Sequence, residues 1–301
     1  MRIWPDCTPC ILRMNLDVIR SVADDQESVT ELMDSVMRVF NEESRSPSER
    51  RAPAIIGVIW RELVRLTGDP DPMRVVKDLQ NSRALGLLPA ARELVAASPD
   101  PFLQVVKLAA AGNVLDVMVG VGETPADELL HRLADRWVDA AQVERFCGRL
   151  RRARRVVYFL DNCGEIVFDR LLLEVVGGQE PFGPLFDEGA PEVTVVARSL
   201  PVLNDATVAD ALAVGLDKVA RVIGNGIQEP QPGTTLSLLS PEVRRLVDEA
   251  DLVVSKGGGN FELLDEEADL QGKVTFLLLG KCLPLCRTLD VPRDGLVVHN
   301  A

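Results

Sequence analysis

The chain has 301 residues, 47% of them hydrophobic and 26% charged, so it can bury a large core and is neither disordered nor fibrous. A net charge of −13 argues against a nucleic-acid or anionic-membrane partner, because phosphate backbones demand the opposite sign. Six cysteines do not make a secreted disulfide scaffold, and two histidines, His131 and His299, leave little basis for a histidine-built zinc site or a Ser-His-Asp hydrolase.

The first ten residues, MRIWPDCTPC, carry no signal-peptide core, and no stretch reaches the roughly 18 apolar residues of a membrane span; a cytoplasmic protein is expected. Cys7-Thr8-Pro9-Cys10 is a C-x-x-C pair, and its residues alone leave three readings open: buried structural or helix-start thiols, a redox-sensitive or substrate-facing pair, or a metal site. From about Cys10 to Cys147 the apolar spacing is helical, with segments at 28–41, 54–67, 72–85 and 128–152. Residues 1–148 are therefore expected to form a helical subdomain or cap, and 149–301 a second domain. Lys77 and Asn81, four apart, form a polar pair of the kind that usually lies on a solvated face. At residues 102–116 the pair Gly112-Asn113 interrupts an apolar helix. Either it is a left-handed helix C-cap, or Asn113 and Asp116, three apart, point into a site. The basic run at 149–155 reads as a solvated helix end.

Beyond Arg155 the period changes. Short apolar runs at 156–160, 193–197, 219–223, 252–254, 274–279 and 296–298 read as strands, with helical patterns at 166–176, 208–214 and 241–249 between them. Alternation of this kind predicts an α/β fold, a mainly parallel sheet covered on both faces. The stretch 177–191, rich in Gly, Pro and acids, reads as a surface loop.

In a parallel sheet the carboxyl ends of the strands share one edge, where ligands bind. Three predicted ends are unusually polar: Asp161-Asn162-Cys163-Gly164-Glu165, then Arg198-Ser199-Leu200-Pro201 with Asn204-Asp205 close behind, and Ser255-Lys256-Gly257-Gly258-Gly259-Asn260-Phe261-Glu262. Each has a plain reading, an Asp or Asn helix cap or a flexible glycine turn. Together they supply oxygen ligands suited to Mg²⁺ or Mn²⁺, and a lysine beside backbone N–H groups suited to a phosphate. That is the minimum for metal-assisted phosphoryl-ester hydrolysis. Other motifs fit less well: SKGGGN has its lysine before the glycines and is no P-loop, DNCGE stands where a dinucleotide fingerprint needs G-x-G-x-x-G, and Cys163 stands where a dehalogenase-type phosphatase needs its second aspartate.

The ordered set CTPC, KLAAAGNVLD, FLDNCGEIVFD, PVLNDAT and SKGGGNFE resembles the damage-control phosphatase family, formerly domain of unknown function 89, in its prokaryotic branch with an N-terminal C-x-x-C. The resemblance covers nearly the whole chain. It implies a three-layer α/β/α Rossmann-like core with an added N-terminal helical domain, and metal-dependent hydrolysis of small phosphorylated metabolites: sugar phosphates, nucleotides or phosphopantetheine-like compounds, often damaged side products. By motif it implies Asp161, Asn162 and Asp205 as ligands of a divalent metal (Mg²⁺, Mn²⁺, Co²⁺ or Ni²⁺). Lys256 would hold the substrate phosphate with Gly257, Gly258, Gly259, Asn260 and Glu262 nearby, and Asn113 and Asp116 would line the site. Gly258 stands where relatives often carry a polar residue, which implies a looser phosphate pocket. Two other classes stay open: an S-adenosylmethionine-dependent carboxyl methyltransferase, and a non-catalytic phosphometabolite sensor with a redox-sensitive cysteine pair.

Overall fold

A computed structural model describes residues 1–44, 51–112, 126–187 and 189–301. Six strands form one sheet in the order β3-β2-β1-β4-β5-β6: β1 (Arg155–Phe159), β2 (Glu192–Ala197), β3 (Arg221–Gly224), β4 (Leu252–Lys256), β5 (Val274–Leu279) and β6 (Leu296–Asn300). The first five are parallel and β6 runs antiparallel to β5. Chain order reverses between β1 and β4, so the crevice at their carboxyl ends is the sheet's switch point, where α/β proteins place ligands.

Strand alternation builds two cores. Val157, Phe159, Val253 and Phe276 face one side, with α10 (Pro241–Glu249), α11 (Gly257–Leu264) and α12 (Leu283–Leu289). Val156, Tyr158, Leu160, Val254 and Leu277 face the other, with α4 (Arg74–Ala96), α5 (Pro101–Ala111), α7 (Ala140–Arg152) and α8 (Glu165–Val176). The result is the expected α/β/α sandwich. A boundary at 148 falls inside α7, and helices α4, α5 and α7 share the sheet's own core, so much of the helical half is a layer of the sandwich itself.

A third core joins α1 (Cys7–Val22), α2 (Gln26–Glu43) and α3 (Ala52–Thr67) to Val202 and Leu203. Those two residues lie on the loop that carries Asp205, and Trp60 Nε1 donates to the Pro201 carbonyl at 3.1 Å. Burial of α1 to α3 thus fixes the course of one site loop.

Two expectations are corrected. The pattern over 128–152 is two helices, α6 (Ala126–Ala134) and α7, because Val138 leaves the helix to bridge Leu296 of β6 and Asp139 then caps α7 through the Ala141 N–H. Lys77 and Asn81 are buried, not solvated.

The short helix α9 (Val208–Ala213) starts with a capping box: the Thr207 hydroxyl accepts from the Asp210 N–H while the Asp210 carboxylate accepts from the Thr207 N–H. Thr207→Ala should lower unfolding free energy by about 1 kcal/mol, read from urea midpoints at constant slope.

Candidate active site

Apolar β1 ends at Phe159 and its chain is at once stitched to the loop after β2. The Asp161 carbonyl accepts from the Ala206 N–H at 2.7 Å, the Cys163 N–H donates to the Asn204 carbonyl at 2.9 Å, and Asn162 and Asp205 form an isolated antiparallel bridge. This backbone pairing sets Asp161, Asn162 and Asp205 side by side, all three buried.

The Asp161 carboxylate accepts from Asn162 Nδ2 at 2.9 Å through Oδ2. Behind it stands Gly257, with φ +77°, where a Cβ would lie 1.7 Å from the same Oδ2. Only glycine permits both that backbone conformation and that approach. The triple-glycine stretch, which reads from sequence as a flexible turn, is instead the first turn of α11.

Arg198, at the end of β2, is the residue that motif reasoning passed over. Its Nε donates to Asp205 Oδ2 at 2.7 Å, its Nη1 to Thr234 Oγ1 at 2.9 Å and its Nη2 to Asn260 Oδ1 at 3.2 Å, with Nη2 also 3.9 Å from Asp161 Oδ1. Asn260 in turn donates from Nδ2 to the Leu160 and Lys256 carbonyls at 3.0 and 2.7 Å. One guanidinium and one amide therefore lock three strand ends together. A buried arginine is favourable only when its charge is met, and Asp205 meets it.

Lys256 lies apart from this cluster. Its fully buried ammonium donates to the Ala109 carbonyl at 2.8 Å, to Asp169 Oδ1 at 2.6 Å and to Glu165 Oε1, and the Tyr158 hydroxyl donates to Asp169 Oδ1 at 2.7 Å. All three ammonium protons are committed to α5 and α8, so the side chain assigned by motif to the substrate phosphate serves here as an internal tie. A different cation flanks the carboxylates. Lys281, exposed after β5, opposes the charges of Asp161 and Glu262, and a Cβ on Gly258 would lie 3.9 Å from its Cε and 3.2 Å from Leu285 Cδ1.

Asn113 and Asp116 lie outside the described residues. Of the Gly112-Asn113 pair, Gly112 has φ −53° and so is not left-handed; its need for glycine is steric, since a Cβ there would meet Glu165 Cγ at 2.8 Å. Cys7 and Cys10 are free thiols, the first half-buried and the second exposed.

Burial, with the neighbouring charge of Asp205, pushes the Asp161 carboxyl up to about 7, against the pull of Lys281, Arg198 and Lys256. Burial likewise lifts Glu165 to about 8, helped by Asp169 and Asp161 and opposed by Lys256. Glu262 is raised to about 7, also chiefly by burial. Two buried carboxylates with an amide beside them fit a hard divalent cation, whose charge would relieve the repulsion that raises Asp161. Among the described residues no three His, Cys, Asp or Glu side chains converge as a metal site.

Fold and site together define a Rossmann-like α/β protein with an acidic, amide-bearing centre at its switch point. Residues 3–297 match the damage-control phosphatase ARMT1-like domain, and the chain belongs to that family. It is 31% identical over 296 residues to a damage-control phosphatase of Archaeoglobus fulgidus, covering 97% of this chain and 96% of that one. A damage-control phosphatase of Pyrococcus horikoshii is 28% identical over 298 residues, covering 99% and 97%. The crystal structure of a DUF89 family protein from P. horikoshii superposes with a TM-score of 0.85 at 27% identity over the whole of both chains.

The raised Glu165 has a measurable consequence. Its unfolded value is that of an ordinary carboxyl, so between about pH 4.5 and 8 the folded chain holds a proton that the unfolded chain has released. Stability of the metal-free protein should fall as pH rises through that window. Glu165→Gln, which keeps the acceptor for Lys256, should make the fall shallower and leave the part contributed by Asp161 and Glu262, read as urea midpoints across the pH series.

Proposed function

We propose that the protein is a metal-dependent phosphatase acting on phosphomonoesters of small metabolites. One observation carries the reading: Asp161 and Asp205, two carboxylates forced side by side out of water, sit at the switch point with Asn162 between them. Membership of the damage-control phosphatase family supports phosphatase activity, and the names of the archaeal relatives support substrates that include damaged side products. Sugar phosphates, nucleotides and phosphopantetheine-like compounds are the classes to test.

Asp161, Asn162 and Asp205 would hold the cation, with Mg²⁺, Mn²⁺, Co²⁺ or Ni²⁺ as candidates. A divalent ion bound there supplies Lewis-acid stabilisation of the phosphoryl oxygens and lowers the pKa of coordinated water. Arg198 holds and orients Asp205 through its Nε–H, and Asn162 orients Asp161 through its amide N–H. The exposed Lys281 supplies positive charge near Asp161, which would stabilise charge building on a transferring phosphoryl group there. The N-terminal turn of α11 brings Gly257 and Gly258 alongside, close enough for backbone to approach a phosphate. Lys256 holds this turn in place from inside.

No described helix is long and apolar enough to cross a membrane. Together with the acidic charge of −13, this supports a small diffusible substrate over a nucleic acid or lipid surface.

Hydrolysis of p-nitrophenyl phosphate and of sugar phosphates, assayed with each cation and then with excess chelator, tests the proposal. Activity should appear with metal, vanish on chelation, and drop roughly 100-fold or more in Asp161→Ala and Asp205→Asn. Turnover that survives both chelation and Asp161→Ala contradicts the metal-dependent reading.

A further inference from the structure

Helix α4 presents three polar side chains at positions i, i+3 and i+4, Lys77, Gln80 and Asn81, and all three are buried. That spacing places them on one helical face. Asn81 Oδ1 accepts from the Gly164 N–H at 2.7 Å. Gly164, with φ +79°, is two residues beyond Asn162, and a Cβ on it would lie 3.4 Å from Gln80 Cβ. Gln80 Oε1 accepts from Asn204 Nδ2 at 3.4 Å, one residue before Asp205. Lys77 Nζ lies 2.8 Å from Asp71 Oδ2 and 3.1 Å from Asp210 Oδ2, the carboxylate that closes the capping box after Thr207.

One helix face thus reaches both loops that bear the proposed ligands. The backbone pairing between Asp161-Asn162 and Asp205-Ala206 fixes the loops to each other, and the α1–α3 core and the Arg198–Asn260 ties anchor them from other sides. Asn81 and Gln80 add the tie to the helical layer of the sandwich, one to each loop. A buried polar group on a helix is costly unless it is matched; Asn81 Oδ1 and Gln80 Oε1 find their matches on the site loops, while Asn81 Nδ2 has no hydrogen-bond partner among the described residues.

We propose that Gln80 and Asn81 are positioning residues for the metal centre, acting through Asn204 and Gly164, so that the helical half of the chain sets cation affinity without supplying a ligand from α4. The inference rests on the assignment of Asp161, Asn162 and Asp205 as ligands. Loss of such supporting contacts typically weakens metal binding about 10- to 100-fold.

The test is Mn²⁺ titration of the full chain by calorimetry, with the thermal midpoint recorded for each variant. Asn81→Leu removes the acceptor for Gly164 and should weaken Mn²⁺ binding by about 10-fold or more. Asn81→Asp keeps an acceptor oxygen in the same place and should recover most of the affinity. Gln80→Leu, which touches the other loop, should also weaken binding and provides the measurement if Asn81→Leu does not fold. Wild-type affinity in both leucine variants, or an Asn81→Asp protein as weak as Asn81→Leu, overturns the inference. A wild-type chain that binds no Mn²⁺ overturns the ligand assignment, and this inference with it.

Discussion

Two carboxylates held against each other away from water are the constraint on which the rest of the site depends. Asp161 and Asp205 are brought together by the bridge between Asn162 and Asp205, and burial, with the neighbouring charge of Asp205, raises Asp161 to about 7. Much of the surrounding chemistry opposes that repulsion. Arg198 neutralises Asp205 directly, the exposed Lys281 after β5 adds positive charge, and Gly257 gives Asp161 a space that any side chain would fill. A divalent cation is the remaining counter-charge that the arrangement accommodates.

Behind this centre lies a second charged network with a different purpose. Lys256, Glu165, Asp169 and Tyr158 tie β4, α8 and β1 to one another and to the last turn of α5 through the Ala109 carbonyl. Breaking such a buried pair is far more disruptive than its net contribution suggests, since the abandoned partner keeps its desolvation cost. The network stiffens the strand from which Gly257 departs. In this way the interior of the sandwich determines the shape of the turn that faces the candidate cation.

Much of the fold was legible because fully buried strands announce themselves as short apolar runs, and all six runs in the second half are strands. DNCGE was legible for the same reason: an apolar run that stops abruptly on Asp-Asn must deliver those groups to the sheet edge. NDAT lies farther from its strand, beyond Arg198-Ser199-Leu200-Pro201, and spacing alone did not show that its backbone pairs with DNCGE. The direction of Lys256 was not evident from its glycine neighbours. Residues 252, 254 and 256 alternate to the face covered by α5 and α8, so the ammonium is carried away from the glycine turn. Arg198 is a single arginine after a strand, and nothing in its spacing reveals that Asp205, Thr234 and Asn260 converge on it. The polar face of α4 has the right helical spacing, yet spacing alone does not say whether a face meets water or a loop. The division into two domains followed the change in hydrophobic period, whereas the cores follow contact, and α4, α5 and α7 belong with the sheet.

Crystals of the protein grown with Mn²⁺ and inorganic phosphate, with data collected at the manganese absorption edge, would locate the cation. An anomalous peak coordinated by Asp161, Asn162 and Asp205 is expected, with the phosphate against it and within reach of Lys281. A peak elsewhere in the molecule, or a phosphate bound with no ion between those three side chains, would contradict the ligand assignment.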